Sequence, residues 1–288
     1  MTSNEAVDAT TAQPTIPKHM ARGGAVRITK LVLATVVWIS AILFAAYILA
    51  RYIGALGDGR LDAWNRDLPL LYEAGKSAAT TGIGVHFVAG AILLLLGPLQ
   101  FIQAIRDHAP AVHRWIGRVY ASAALIAGLG GLTFIALKGT VGGRPMDIGF
   151  GLYGALTALA AVMTPYYAWQ RQFVKHRAWA IRLFALAIGS WLYRMDYGLW
   201  LSLTHRLGHT KSFDGPFDVI MAYFFFVPNL IVGEIIIRTP IDRMQRAGRA
   251  VTAAGLIVAT GLVVLSTFYF TTYHWGPDIL ARLRSFTM

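Results

Sequence analysis

Seven stretches of this chain stay apolar over the thickness of a bilayer. The first, residues 31–50, runs for twenty residues without a charge. At about 1.5 Å of rise per residue, a helix of that length crosses a hydrocarbon core of roughly 30 Å. Six more runs follow at 77–105, 119–137, 148–170, 178–204, 219–237 and 250–273. Runs this long are not soluble core strands, and they lack the alternation of an outer-membrane barrel. The predicted fold is therefore all-α: an integral membrane bundle of about seven transmembrane helices. Residues 1–29 read as a mobile cytoplasmic tail, 30–274 as the seven-helix domain, and 275–288 as a short outer tail. Only 14% of residues are charged, against about a quarter in soluble domains, so most of the surface faces something other than water.

The Lys and Arg residues cluster between the apolar runs. They are denser in the N-terminal tail and in the second–third, fourth–fifth and sixth–seventh connections. The positive-inside rule then places the N-terminus in the cytoplasm and the chain in the cytoplasmic membrane. The same clustering accounts for the net charge of +12, and no basic stretch with interleaved aromatics forms a nucleic-acid face. The bilayer is the expected partner. Tyr52, Trp200, Tyr273 and Trp275 would form an outer aromatic belt, and Trp115, Trp169 and Trp179 an inner one. The absence of Cys removes disulfides, iron–sulfur clusters, thiol nucleophiles and Cys-ligated zinc. Pro98, Pro165 and Pro228 lie in or near spans, where each removes a backbone hydrogen bond. The loop 51–76 is predicted to hold a short amphipathic helix near 61–72.

Polar residues inside spans carry the functional information. A charge at the centre of a span costs about 2.5–3.5 kcal/mol on insertion scales, so Arg194 should face the interior and find a partner. Asp196, two residues on, points to another side of the helix, and Asp218 is a second candidate partner. By depth, His86, Arg194 and Asp196 belong to one outer polar site. The alternative is a structural ion pair that fixes helix packing. His86-Phe-Val-Ala-Gly90 and His113-Arg-Trp-Ile-Gly117 share one spacing, which places a glycine one turn from an imidazole on the same face. The space suits a flat macrocycle with an imidazole as axial ligand, or equally a closely packed helix.

A second layer falls at the cytoplasmic edge. His113, Arg114 and Arg118 begin helix three. His176, Arg177 and Arg182 begin helix five, and Glu234 approaches the same level. One reading is an inner cofactor site, with His113 and His176 as ligands of a haem iron and the arginines neutralising propionates or an anion. The other is a set of topology determinants contacting phospholipid headgroups. His205 and His209 are four residues apart in an outer loop, a spacing that could bind a metal on one helical face but has no third ligand in sequence. No H-E-x-x-H, G-x-S-x-G or P-loop is present.

These residues also carry a resemblance. His86-Phe-Val-Ala-Gly90, Gly97-Pro-Leu-Gln-Phe101, Arg106 and His113-Arg-Trp-Ile-Gly-Arg-Val-Tyr120 occur in order. They are followed by His176-Arg-Ala-Trp-Ala-Ile-Arg182 and Arg194. This series resembles a bacterial membrane-protein family known as domain of unknown function 2306, across residues 31–238. Members often carry Met where this chain has Ala180, an apolar position either way. The resemblance implies fold and topology, and no reaction. Its His-bearing helices look broadly like those of membrane b-type cytochromes and ferric-reductase-like domains, an analogy of architecture alone.

Two functions remain in view, beside a third reading as a purely structural or sensory membrane partner. One is a redox protein linked to haem b or quinone, with a redox partner. The other is a transporter, channel or accessory subunit with a polar path around Arg194 and His86. In both, function is expected among helices two to six, with the first and seventh as passive packing.

Overall fold

The computed structural model describes residues 24–66, 71–239 and 246–287. Every regular element among them is helical. Helix α1 (Gly24–Ile48) runs through a π turn (Leu49–Ile53) to Gly57, and a 3-10 turn (Leu61–Arg66) follows. Next come α2 (Ser77–Leu96), a 3-10 turn (Pro98–Phe101), the short α3 (Gln103–His108), α4 (Pro110–Lys138) and α5 (Gly143–Trp169). The second half contains α6 (Phe173–Ala187), α7 (Gly189–Leu203), α8 (Pro216–Phe224) and α9 (Val227–Arg238). It ends with α10 (Arg246–Phe270) and, after a π turn at Thr271–Trp275, α11 (Gly276–Ser285). The helical start at Gly24 falls inside the segment read as tail, and the remainder of that tail lies outside the described residues. Within the segment read as a short outer tail, Gly276–Ser285 form α11. Of the helix predicted near 61–72, Leu61–Arg66 is a 3-10 helix, and 67–70 lie outside the described residues.

Among the described residues, six helical segments are long and apolar enough to cross a membrane. The predicted fifth span is split into α6 and α7, each of 15 residues. Each half is roughly 22 Å long, and only end to end do they cover the hydrocarbon core. The break falls at Ile188, just before the Gly189–Ser190 pair, a common cause of helix interruption. The Tyr153 hydroxyl donates to the Leu186 carbonyl there at 3.0 Å. The sixth span also breaks, at Phe225–Phe226, and Pro228 sits in the first turn of α9. Pro98 starts the turn that ends α2, whereas Pro165 stays inside α5.

Glycines bring α2 and α4 into backbone contact. A Cβ on Gly82 would lie 2.9 Å from the Gly130 carbonyl oxygen, and one on Gly130 would lie 2.6 Å from that of Gly82. Small residues at such crossings let membrane helices gain dispersion contacts without a hydrophobic driving force.

The core has two parts. One is aromatic, built on Phe44, Tyr52, Trp64, Phe87 and Trp275. The other is alanine-rich, built on Ala124, Ala127, Leu183, Leu186 and Phe226. Tyr52 and Trp275 are almost fully buried, so they belong to the core and not to an interfacial belt: their rings pack against Phe87 and Phe44. Trp115, Trp169 and Tyr273 are well exposed, as a belt requires. Exposed Leu31, Ile39, Ile257, Val258 and Leu262 give α1 and α10 apolar outer faces.

Candidate functional site

A cavity of about 1280 Å³ enters the bundle at the end where α4 finishes and α7 leaves its last turn. Its α4 wall runs from Ala127 to Lys138, roughly 16 Å at helical rise. Arg194 and His86 both line it, which brings together two of the three residues assigned to an outer polar site. Asp196 is half-buried and is not on the cavity wall. The α-helical angle between positions i and i+2 turns it away.

Arg194 has no carboxylate within 4.0 Å among the described residues. Its Nη1 donates to the Ser190 carbonyl at 3.1 Å, and its guanidinium lies over the Phe44 ring, 5.0 Å from the centroid. The expected acidic partners are engaged or distant. Asp218 is fully buried and accepts from the Tyr197 hydroxyl at 2.7 Å, His209 Nδ1 at 2.7 Å and the Thr210 N–H at 3.0 Å. It therefore ties the loop after α7 to the start of α8. The same bond commits His209 to a structural role. His205 sits on the cavity rim in the left-handed region. No group of three metal-binding side chains converges among the described residues.

His86 Nδ1 bonds the Ala127 carbonyl at 2.8 Å, so in the neutral ring Nδ1 carries the proton and Nε2 is an acceptor. Gly90, one turn on, also lines the cavity, with nothing within 4 Å of where its Cβ would be. The space expected beside this histidine is present. Around it the walls are aromatic: Phe87, Phe134, Phe150, Tyr153, Tyr193 and Phe270. The charged side chains of the lining are mostly cationic, with Arg66, Lys138, Arg194 and Arg206 against Asp278. At the rim, Arg66 pairs with Asp278 at 2.6 Å and Lys138 with Glu73 at 3.1 Å. Lys138, then Lys76, hold the Glu73 carboxyl below its ordinary range. Tyr47, Tyr52, Tyr269 and Phe270 also line the cavity. The first and seventh spans thus contribute to it and are more than passive packing.

At the other end, His113 and His176 lie within electrostatic reach of each other. His176 Nδ1 bonds the Thr164 carbonyl at 2.9 Å, and His113 Nδ1 is buried without a partner. The arginines are spread outward: Arg114, Arg118 and Arg177 are exposed, with Arg118 over Trp115. Arg182 pairs with Glu234 at 2.5 Å, as their common depth suggested. The space at Gly117 is filled by the Gln100 amide, whose Oε1 lies 3.2 Å from where a Cβ would stand. Neither imidazole lines the cavity.

Residues 83–237 match the model of the family described as "predicted membrane protein", domain of unknown function 2306. The chain belongs to this family. No curated protein and no solved structure matches it. The family segment takes in residues 83–96 of α2, all of α3 to α8 and α9 up to residue 237, and with them His86, Arg194 and both inner histidines. Helices α1, α10 and α11, which close the cavity, lie outside it.

Tyr153, Tyr193 and Gln100 escaped the sequence reading. A tyrosine in an apolar span reads as interfacial or core, and Gln100 lies in the Gly97-Pro-Leu-Gln-Phe101 motif, where sequence gives it no role. Its signal was Gly117: a glycine opposite a buried amide on a neighbouring segment.

Proposed function

We propose that this member of the family is a binding protein or carrier for an amphipathic anion. The carboxylate- or phosphate-like head would sit at Arg194 and the apolar body against the aromatic walls. The observation that carries this reading is a guanidinium inside a membrane bundle, facing a cavity, with no carboxylate within 4.0 Å of it among the described residues. Charges in spans are costly and are kept where they serve a ligand or path. The cationic rim would draw an anion inward, since clefts of one sign concentrate their counter-ions. The denser Lys and Arg at the His113 edge support a cytoplasmic N-terminus in the cytoplasmic membrane, with the cavity opening to the outside.

Dodecanoate and dodecanol share a tail and differ in charge, so they test this directly. Dodecanoate should raise the thermal unfolding temperature of the protein in nanodiscs, because a ligand that binds only the folded state stabilises it. Dodecanol should not, and Arg194→Gln should abolish the difference. Equal shifts from both compounds would refute the assignment.

A redox reading draws on His86. With Nδ1 held by Ala127, Nε2 is free to accept a proton from a quinol or to ligate a haem b iron within the same cavity. Protein from haem-replete cells, purified in detergent, should then show a Soret band that disappears in His86→Ala. A colourless, folded preparation removes the haem form of this reading.

A further inference from the structure

One face of α4 connects the two ends of the bundle. Positions 113, 117, 120, 124, 127 and 131 alternate steps of four and three, so they lie on a single stripe. At the upper end of the stripe, Ala127 and Gly131 line the cavity, and the Ala127 carbonyl holds His86. At the lower end the stripe is polar. His113 Nδ1, Gln100 Nε2 and the Tyr120 hydroxyl are all buried and lack a hydrogen-bond partner. Gln100 rests on Gly117, between His113 one turn below and Tyr120 one turn above. Tyr120 is only 6% exposed. Leaving one such group unsatisfied costs about 1–3 kcal/mol. Three in register are unusual where buried polar groups are nearly always paired.

A small void continues the stripe. It measures about 10 Å³ and is lined by Tyr120, Leu93, Ala187 and Ile188 among others. That is close to the space needed by one water molecule. Leu93 and Ala187 also line the floor of the large cavity, so these two side chains alone are common to both spaces. The void lies at the Ile188 break. On the cavity side stands Tyr153, within electrostatic reach of Tyr120, its hydroxyl on the Leu186 carbonyl. Around His113 the charged and titratable neighbours are His176, Arg106 and Arg114.

We propose that this stripe is a proton path. It would run from His113 past Gln100 and Tyr120 to the cavity floor, with Leu93 as its narrowest point. Imidazole and hydroxyl groups can each accept a proton on one side and release one on the other. Water held by the Gln100 amide and in the void bridges them. The only species moved is the proton, driven by the membrane potential, and no residue changes oxidation state. The protein would thus couple the proton gradient to whatever occupies the cavity. The path does not depend on the nature of that occupant.

The test uses the full chain in liposomes loaded with a pH-sensitive dye, with a potassium gradient and valinomycin setting the potential. Vesicles with wild-type protein should acidify or alkalinise several-fold faster than vesicles without protein. Tyr120→Phe should return the rate to the protein-free level. Leu93→Ala, which widens the constriction, should raise it above wild type. Circular dichroism and thermal unfolding establish that each variant is folded. Rates equal to protein-free vesicles in both wild type and Leu93→Ala would overturn the proposal. So would an unchanged rate in folded Tyr120→Phe. Neither outcome bears on anion binding at Arg194, which the dodecanoate comparison decides separately.

Discussion

At His86 and at His113 a glycine follows four residues later, and the bundle uses the two spaces differently. Beside His86, Gly90 opens onto a cavity, and the ring is fixed by a backbone carbonyl. Beside His113, Gly117 is covered by Gln100, and the ring nitrogen is left unpaired. Identical spacing gives a void in one case and a packed polar groove in the other. The difference comes from the partner segment. Gly90 faces open space, in a cavity that residues of the split fifth span, α1 and α10 also line. Opposite Gly117 the chain doubles back through the Pro98–Phe101 turn and delivers an amide into the gap.

The contrast can be broken hardest at the crossing that keeps α2 and α4 together. Gly130→Ala places a methyl against the Gly82 backbone, which cannot yield as a side chain can. A loss of about 1–3 kcal/mol or more is expected, read as a large fall in unfolding temperature in detergent. Gly90→Ala, by comparison, should leave that temperature unchanged.

The arginines should separate next. Arg182→Gln removes one of the two cations on Glu234 and is expected to cost about 1 kcal/mol. Arg194→Gln breaks no ion pair among the described residues and should leave thermal stability equal or higher, since it removes an intramembrane charge. Matching losses in the two variants would mean that Arg194 is a scaffold residue.

Gly117→Ala is a milder probe. The new methyl meets only the flexible end of Gln100, so a destabilisation of under about 1 kcal/mol is expected from the overpacking. An effect as large as that of Gly130→Ala would show that Gln100 is rigidly held.

The smallest effect is at the cavity rim. Lys138 and Lys76 lower the Glu73 pKa in the folded protein. A lowered carboxylate pKa contributes stability above the unfolded pKa, and this is lost as pH falls through the folded value. Wild type should therefore lose a little more unfolding temperature on acidification than Glu73→Gln does. Parallel curves would show that the rim ion pair adds nothing.

Much of this molecule was legible in the chain itself. Bilayer-length apolar runs define the helices, because a membrane leaves unpaired backbone groups no water to bond and so admits only helices or closed barrels. The cost of intramembrane charge singled out Arg194, and helical geometry separated it from Asp196. What the sequence could not supply was the partner of each polar group. Asp218 could reach Arg194 on paper but is consumed by Tyr197 and His209. Tyr52 and Trp275 have the composition of a belt and the position of a core. The identity of the spans followed from one-dimensional composition, which the bilayer reads directly. Whether a glycine opens a cavity, receives an amide or meets another backbone was decided only by what the tertiary structure brings opposite it. That depends on contacts between segments far apart in sequence, and no local pattern records them.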